Sequence, residues 1–107
     1  MIVWIKVECT EGVLGRLSYP MQYAFQWLCT YWAEDVYVVA ITGGEHQTLI
    51  KHYFANAIDV LPPKEDAERK TNRLKELLGD DFQVLWEGEE RIHIEYSPKD
   101  FKVLFRL

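Results

Sequence analysis

The chain has 107 residues, of which 49% are hydrophobic and 14% aromatic, and its formal net charge at pH 7 is -5. This length suits one compact domain with one hydrophobic core, so we predict a single domain over residues 1–107. Acidic and basic residues are largely intermixed along the chain, which argues against nucleic acid as a partner. The longest wholly apolar run, Val36 to Ile41, is far shorter than the roughly 20 residues that cross a bilayer.

The N-terminal stretch and the cysteines bear on the cellular compartment. Met1 to Val7 carries Lys6 among its apolar residues and lacks the layout of a signal peptide, so we expect synthesis in the cytoplasm. Cys9 and Cys29 form no Cys-x-x-Cys motif, which favours two buried free thiols over a disulfide or a metal-binding pair.

The first half of the chain predicts a strand, a helix and a second strand. Ile2 to Val7 is rich in β-formers and is followed by turn-forming residues. Ser18 is a plausible helix cap with Pro20 just inside the first turn. Apolar residues then recur at helical spacing, namely Met21, Ala24, Phe25, Leu28 and Trp32. Val36 to Ile41 predicts a strand buried on both faces, and residues 45–55 have no clean period and predict a loop.

The second half predicts a short strand, a helix and a hairpin. Ala57 to Leu61 indicates a buried strand, which two prolines end. A charged helix opens near Asp66 and stops at Gly79. Its predicted apolar stripe is Ala67, Leu74 and Leu78. Further strands are predicted at Phe82 to Trp86, Arg91 to Tyr96 and Phe101 to Phe105. These elements together predict an α+β fold with two main helices.

The stretch Arg91 to Tyr96 alternates strictly between apolar and polar residues. Ile92, Ile94 and Tyr96 are therefore expected to face the core. This leaves Arg91, His93 and Glu95 on the other face. A single histidine on such a face is usually solvated or forms a hydrogen bond within the strand pair.

Asp59 is unusual because it lies between Ile58 and Val60 in a predicted buried strand. A charge there is costly unless it is paired, hydrogen-bonded or bound to a metal. His52, Asp59 and His93 would supply two imidazoles and one carboxylate, a common zinc set that leaves one position for water. Peptide cleavage also needs a carboxylate that accepts a proton.

Two glutamates are candidates for that general base. Glu90 stands three positions before His93 and is the first candidate. Strict alternation would put Glu90 on the opposite face from His93, so a turn or bulge would be needed there. Glu87 is the second candidate.

Several segments together resemble the D-Ala-D-Ala carboxypeptidase and L-Ala-D-Glu endopeptidase family of zinc peptidases, in particular its short phage-type members. The matching segments are Ile41-Thr-Gly-Gly-Glu-His46, His52-Tyr-x-x-x-Ala-Ile-Asp59, Leu77-Leu-Gly79, Gln83-Val-Leu and His93-Ile-Glu95-Tyr-Ser-Pro98. The family motif His-x6-Asp matches His52 and Asp59 as zinc ligands. Its acid-x-x-His element matches Glu90 as base and His93 as third ligand.

The resemblance implies a fold, an activity and a setting. The implied fold is a small antiparallel sheet with helices packed on it, as in hedgehog and DD-peptidase domains. The implied activity is Zn2+-dependent hydrolysis of peptidoglycan stem peptides, at D-Ala-D-Ala or at L-Ala-D-Glu bonds, by metal-activated water. A cell-wall enzyme without a signal peptide implies a phage or prophage product of the endolysin type. We expect a monomer whose partner is the peptide substrate.

The chain departs from the family pattern around the first ligand. Ile50 and Ala55 stand where family members usually have Ser and Gly, and Glu45 and His46 stand where many have an arginine for the substrate carboxylate. His46 is therefore a candidate anion contact, or else a structural loop histidine. These departures keep two alternatives open. One is a catalytically inactive metal- or cell-wall-binding module with the same fold, and the other is a plain core domain without metal.

Overall fold

The computed structural model describes residues 2–6, 17–42, 55–87 and 90–98. Within these residues it has two helices and one five-stranded sheet, which confirms the predicted α+β class. The elements in chain order are β1 (Val3–Ile5), α1 (Tyr19–Trp32), β2 (Val36–Thr42), β3 (Ala57–Val60), α2 (Ala67–Leu78), β4 (Phe82–Glu87) and β5 (Arg91–Tyr96). The strand predicted at Phe101 to Phe105 and most of the predicted loop, residues 45–54, lie outside the described residues.

The sheet is mixed rather than antiparallel throughout. Its strand order is β1-β2-β3-β5-β4, and the last three neighbouring pairs are antiparallel. β1 and β2 are parallel, so the expectation of an antiparallel sheet is wrong at this pair. The chain passes from β1 to β2 through α1, and a crossover of this kind lets the second strand run in the same direction as the first.

Local chemistry explains where α1 begins and ends. The Ser18 hydroxyl accepts a hydrogen bond from the backbone N–H of Met21 at 3.4 Å, and Pro20 occupies the first turn. Ala33 adopts a left-handed conformation with φ of 51° and ends the helix. The buried face comprises Met21, Ala24, Leu28 and Trp32, as the periodicity predicts.

The buried face of α2 differs by one residue from the predicted stripe. Leu74 and Leu78 are buried as predicted, but Thr71 is buried too, while Ala67 is only partly buried. Thr71 lies one turn before Leu74 and two turns before Leu78, and the prediction missed it because it counted only apolar residues. Gly79 follows the helix with φ of 79°, a left-handed value that favours glycine.

Both helices pack on the same face of the sheet. The core joins the buried faces of the helices to sheet residues that include Ile58, Val60, Ile92 and Ile94. Side chains alternate between the two faces along a strand, so Asp59 in β3 and His93 in β5 lie on the face away from the helices. The fold therefore presents Asp59 and His93 on the side of the sheet opposite the helices, where both are only partly exposed.

Candidate functional site

Asp59 and His93 are neighbours on the face of the sheet away from the helices. They are Cα partners in the antiparallel β3–β5 register. The distance between Asp59 Oδ1 and His93 Nδ1 is 2.6 Å, and the exposed fractions of the two side chains are 13% and 17%. Pairing across the sheet thus brings together two of the three predicted zinc ligands, which are 34 positions apart in the sequence.

Glu95 and Arg91 complete a polar cluster around this pair. Glu95 Oε1 lies 2.9 Å from His93 Nε2, and the Glu95 side chain is only 3% exposed. Arg91 Nη1 lies 3.5 Å from Asp59 Oδ2 and is more exposed. We call Asp59, Arg91, His93 and Glu95 the polar cluster. The polar cluster explains how a carboxylate is tolerated between the buried residues Ile58 and Val60, because Asp59 has both an imidazole and a guanidinium beside it.

The two carboxylates determine the protonation of His93 in the absence of metal. Ionised carboxylates only accept hydrogen bonds, so a ring placed between two of them is best satisfied as an imidazolium that donates from both nitrogens. Burial by itself would lower the pKa of His93, but the hydrogen bonds and negative charges of Glu95 and Asp59 outweigh burial. The pKa of His93 is therefore raised above its ordinary value.

The Asp59–His93 pair fits two positions of a zinc site in its chemistry. A carboxylate oxygen and an imidazole nitrogen are both ordinary zinc ligands. Two ligand atoms of a tetrahedral zinc ion lie about 3.4 Å apart, so Oδ1 and Nδ1 would need to separate by about 0.8 Å from their hydrogen-bonded distance of 2.6 Å. Within the described ranges no group of three or more His, Cys, Asp or Glu side chains is arranged to hold a metal. Glu95 does not join Asp59 in such a group because the two carboxylates contact different nitrogens of the ring.

The other predicted site residues are placed as follows. His52, the remaining predicted ligand, and His46, the candidate anion contact, lie outside the described residues. Glu90 is exposed in the turn directly before β5. Glu87 ends β4 as the Cα partner of Arg91.

Sequence reasoning placed Glu95 on the correct face but gave it no role. The two-residue spacing of His93 and Glu95 in an alternating strand predicted that they share a face. This spacing could not show that Glu95 is buried, or that it contacts Nε2, the ring nitrogen that Asp59 does not contact.

Comparisons with known proteins found no similar protein. A scan against protein-family models, a search of curated proteins and a search of solved structures each found no match. In the part of the chain that the structure describes, neither helix has the length and apolar character needed to span a membrane.

Proposed function

We propose that this chain is a zinc-dependent peptidase that cleaves peptidoglycan stem peptides of the D-Ala-D-Ala or L-Ala-D-Glu type. The observation that carries the proposal is the contact between Asp59 and His93. The resemblance assigns both residues as ligands of one metal ion, and the 2.6 Å distance between Asp59 Oδ1 and His93 Nδ1 supports this assignment. His52, Asp59 and His93 would hold the zinc, which when bound lowers the pKa of water and polarises a carbonyl.

The chain's own residues supply the remaining chemistry of the proposal. A carboxylate near the zinc must accept a proton during attack on the peptide bond and return it to the leaving amine. Glu90 is our first candidate for this base, and its exposed position in the turn before β5 leaves it accessible to substrate. Glu87, on the neighbouring strand, is the second candidate.

Arg91 contacts the carboxylate of Asp59. Its guanidinium lies 3.5 Å from Asp59 Oδ2, while Oδ1 is the atom that faces His93. The contact with Arg91 orients the carboxylate with Oδ1 toward the imidazole ring. Residues of the polar cluster therefore support both proposed ligands in the described part of the site.

The direct test combines a metal analysis with a hydrolysis assay. The purified protein is expected to contain one equivalent of zinc, and the zinc-loaded protein is expected to release product from muropeptides that end in D-Ala-D-Ala or contain an L-Ala-D-Glu bond. Zinc without cleavage of either peptide would refute the peptidase and support the binding module. Absence of zinc after reconstitution would refute both and support a plain domain.

A further inference from the structure

We propose that two copies of this chain pair through the outer edge of β4 and form a symmetric dimer with one continuous sheet. The inference is independent of the proposed function, since it needs neither zinc nor a peptide substrate. It replaces the monomer that we expect from the sequence.

The first support is that β4 is an edge strand without the usual protection. It is last in the strand order, and among the described residues no strand pairs with its outer side. It is six residues long and pairs with β5 in a regular register. Its stretch from Phe82 to Trp86 contains no charged residue and no proline. Proteins usually protect edge strands by shortness, bulges, lysine or proline, so this edge is a template for pairing with another strand.

The opposite edge of the sheet, β1, has the protection that β4 lacks. β1 has only three residues and is followed directly by Lys6. When β4 of one copy pairs with β4 of another, both outer edges of the joined sheet are β1. Association therefore stops at two copies, and the contact is isologous, with the same residues on both sides.

The hydrogen bonds along β4 show which backbone groups face its outer edge. The backbone N–H of Ser97 donates to the C=O of Asp81 at 2.7 Å, in the residue pair just before the β4–β5 register begins. Hydrogen-bonded and non-hydrogen-bonded pairs alternate along antiparallel strands. Alternate residues of β4, starting from Gln83, therefore direct their N–H and C=O groups toward β5. Val84 and Trp86 direct theirs outward, where no described strand meets them.

An antiparallel pairing centred on Leu85 satisfies these outward groups reciprocally. Val84 of each copy then lies opposite Trp86 of the other, and each such pair exchanges both of its backbone hydrogen bonds. Leu85 meets its own counterpart at the two-fold axis. Leu85 and Trp86 are 46% and 42% exposed in the single chain, and apolar pairs across strands stabilise a sheet. The uncharged stretch brings no like charges together at this seam, although each copy has a net charge of -5.

A groove beside β4 leaves room for the second strand. It is open, has a volume of about 610 Å³, and is lined by Val84 and Leu85 on one side and by Lys75 and Glu76 of α2 on the other. Val84 and Leu85 belong to opposite faces of the strand, so a groove that reaches both lies at its edge. Lys75 and Glu76 carry opposite charges, which largely cancel and do not repel an identical copy.

The experiment measures the mass of the full chain by sedimentation over a wide range of protein concentration. The wild type is expected to reach twice the chain mass of 12.7 kDa. Leu85→Glu places two like charges opposite each other at the axis, so the Kd of the dimer is expected to rise by at least about 10-fold. Leu61→Glu is the matched control, because Leu61 is 39% exposed and follows β3, away from β4, and its Kd should equal that of the wild type. A wild type that is monomeric at every concentration, or equal Kd values for the two variants, would overturn the inference.

Amide hydrogen exchange of the wild type locates the interface without any variant. The amides of Val84 and Trp86 are expected to exchange more slowly as the protein concentration rises, whereas those of Gln83 and Leu85 are bonded to β5 and should be protected at every concentration. Protection of Val84 and Trp86 that does not depend on concentration would mean that one chain covers this edge by itself, which would overturn the inference. A dimer in which these two amides stay unprotected would overturn it as well, because another surface would then hold the copies together.

Discussion

Asp59 is a charged residue in a strand whose neighbours Ile58 and Val60 are almost completely buried. Taking a carboxylate partly out of water costs free energy, which hydrogen bonds and opposite charges can offset. His93 at 2.6 Å and Arg91 at 3.5 Å provide both. Retaining a charge at this position is easier to understand for a site residue than for one that serves stability, because buried ion pairs contribute little net stability.

The identity of the general base is tested by replacing each candidate with its amide. Glu90→Gln keeps the size of the side chain but removes the proton acceptor, so zinc content should stay unchanged while muropeptide hydrolysis falls by about 10²-fold or more. Zinc analysis and product release by chromatography measure the two effects. Glu87→Gln is the control. Full activity in Glu90→Gln together with loss of activity in Glu87→Gln would mean that Glu87 is the base.

His93→Ala should lose zinc and activity together.

The raised pKa of His93 predicts how the stability of the metal-free protein depends on pH. Burial opposes the imidazolium, but the hydrogen bonds and charges of Glu95 and Asp59 outweigh it. The stabilising effect of the imidazolium is therefore complete below the unfolded pKa of about 6.5. The effect is lost as pH rises through the higher folded pKa. The difference in melting temperature between wild type and His93→Gln, both free of metal, should therefore shrink as pH rises above the unfolded pKa of about 6.5. A difference that stays constant or grows would contradict the prediction.

At the scale of the elements, β5 separates the core from the polar cluster by alternation alone. Ile92 and Ile94 pack against the helices, while His93 and Glu95 belong to the other face. Register with β3 then places Asp59 opposite His93, and Ala57 opposite Glu95. A shift of one residue in this register would move the polar cluster into the core, so burial of Ile92 and Ile94 also determines the geometry of the site.

This division of faces is tested by two truncations on adjacent strands. Ile94→Ala should lower the free energy of unfolding by about 2–5 kcal/mol, because it opens a cavity in the core at a side chain that is 1% exposed. Leu85→Ala should cost much less, because Leu85 is 46% exposed and is the Cα partner of His93. Urea denaturation measures both. Equal losses in the two variants would mean that the faces are assigned incorrectly.

The buried face of α2 contains one polar side chain, that of Thr71. The Thr71 hydroxyl is buried, and no hydrogen-bond partner for it is present among the described residues. Replacing it by a methyl group in Thr71→Val removes that desolvation cost at nearly equal volume, so we expect a gain of about 1 kcal/mol in the free energy of unfolding. Thr30→Val on the exposed face of α1 is the control and should give no comparable gain. A loss in Thr71→Val would indicate that the hydroxyl is satisfied.

At the scale of the whole molecule, the metal is expected to couple the site to folding. Zinc that binds the native chain and only weakly the unfolded one stabilises the fold by mass action, by about 2.7 kcal/mol at a free concentration of 100 times Kd. Removal of zinc by a chelator should therefore lower the melting temperature of the wild type by several degrees. His93→Ala lacks a ligand and should show no response to the chelator. An unchanged wild-type curve after proven removal of zinc would argue against a tightly held site.

The sequence by itself determined those features that depend on neighbours along the chain. Ser18 and Pro20 predict where α1 begins because capping is a local hydrogen-bond requirement, and the spacing from Met21 to Trp32 predicts its buried face. The alternation of Arg91 to Tyr96 predicts that His93 and Glu95 share a face, because the period of a strand is two. Asp59 could be recognised as exceptional from the apolar residues on either side of it.

Only the tertiary structure decided which of these residues meet. Periodicity assigns a side chain to a face but carries no information on its partner across the sheet, and the contact between Asp59 and His93 depends on a register between strands far apart in sequence. The parallel pairing of β1 and β2, the burial of Thr71 and the contact of Glu95 with His93 Nε2 are non-local in the same way. These contacts form because the sheet and both helices must bury their apolar side chains together. The sequence of one segment does not show which other segment it will pack against.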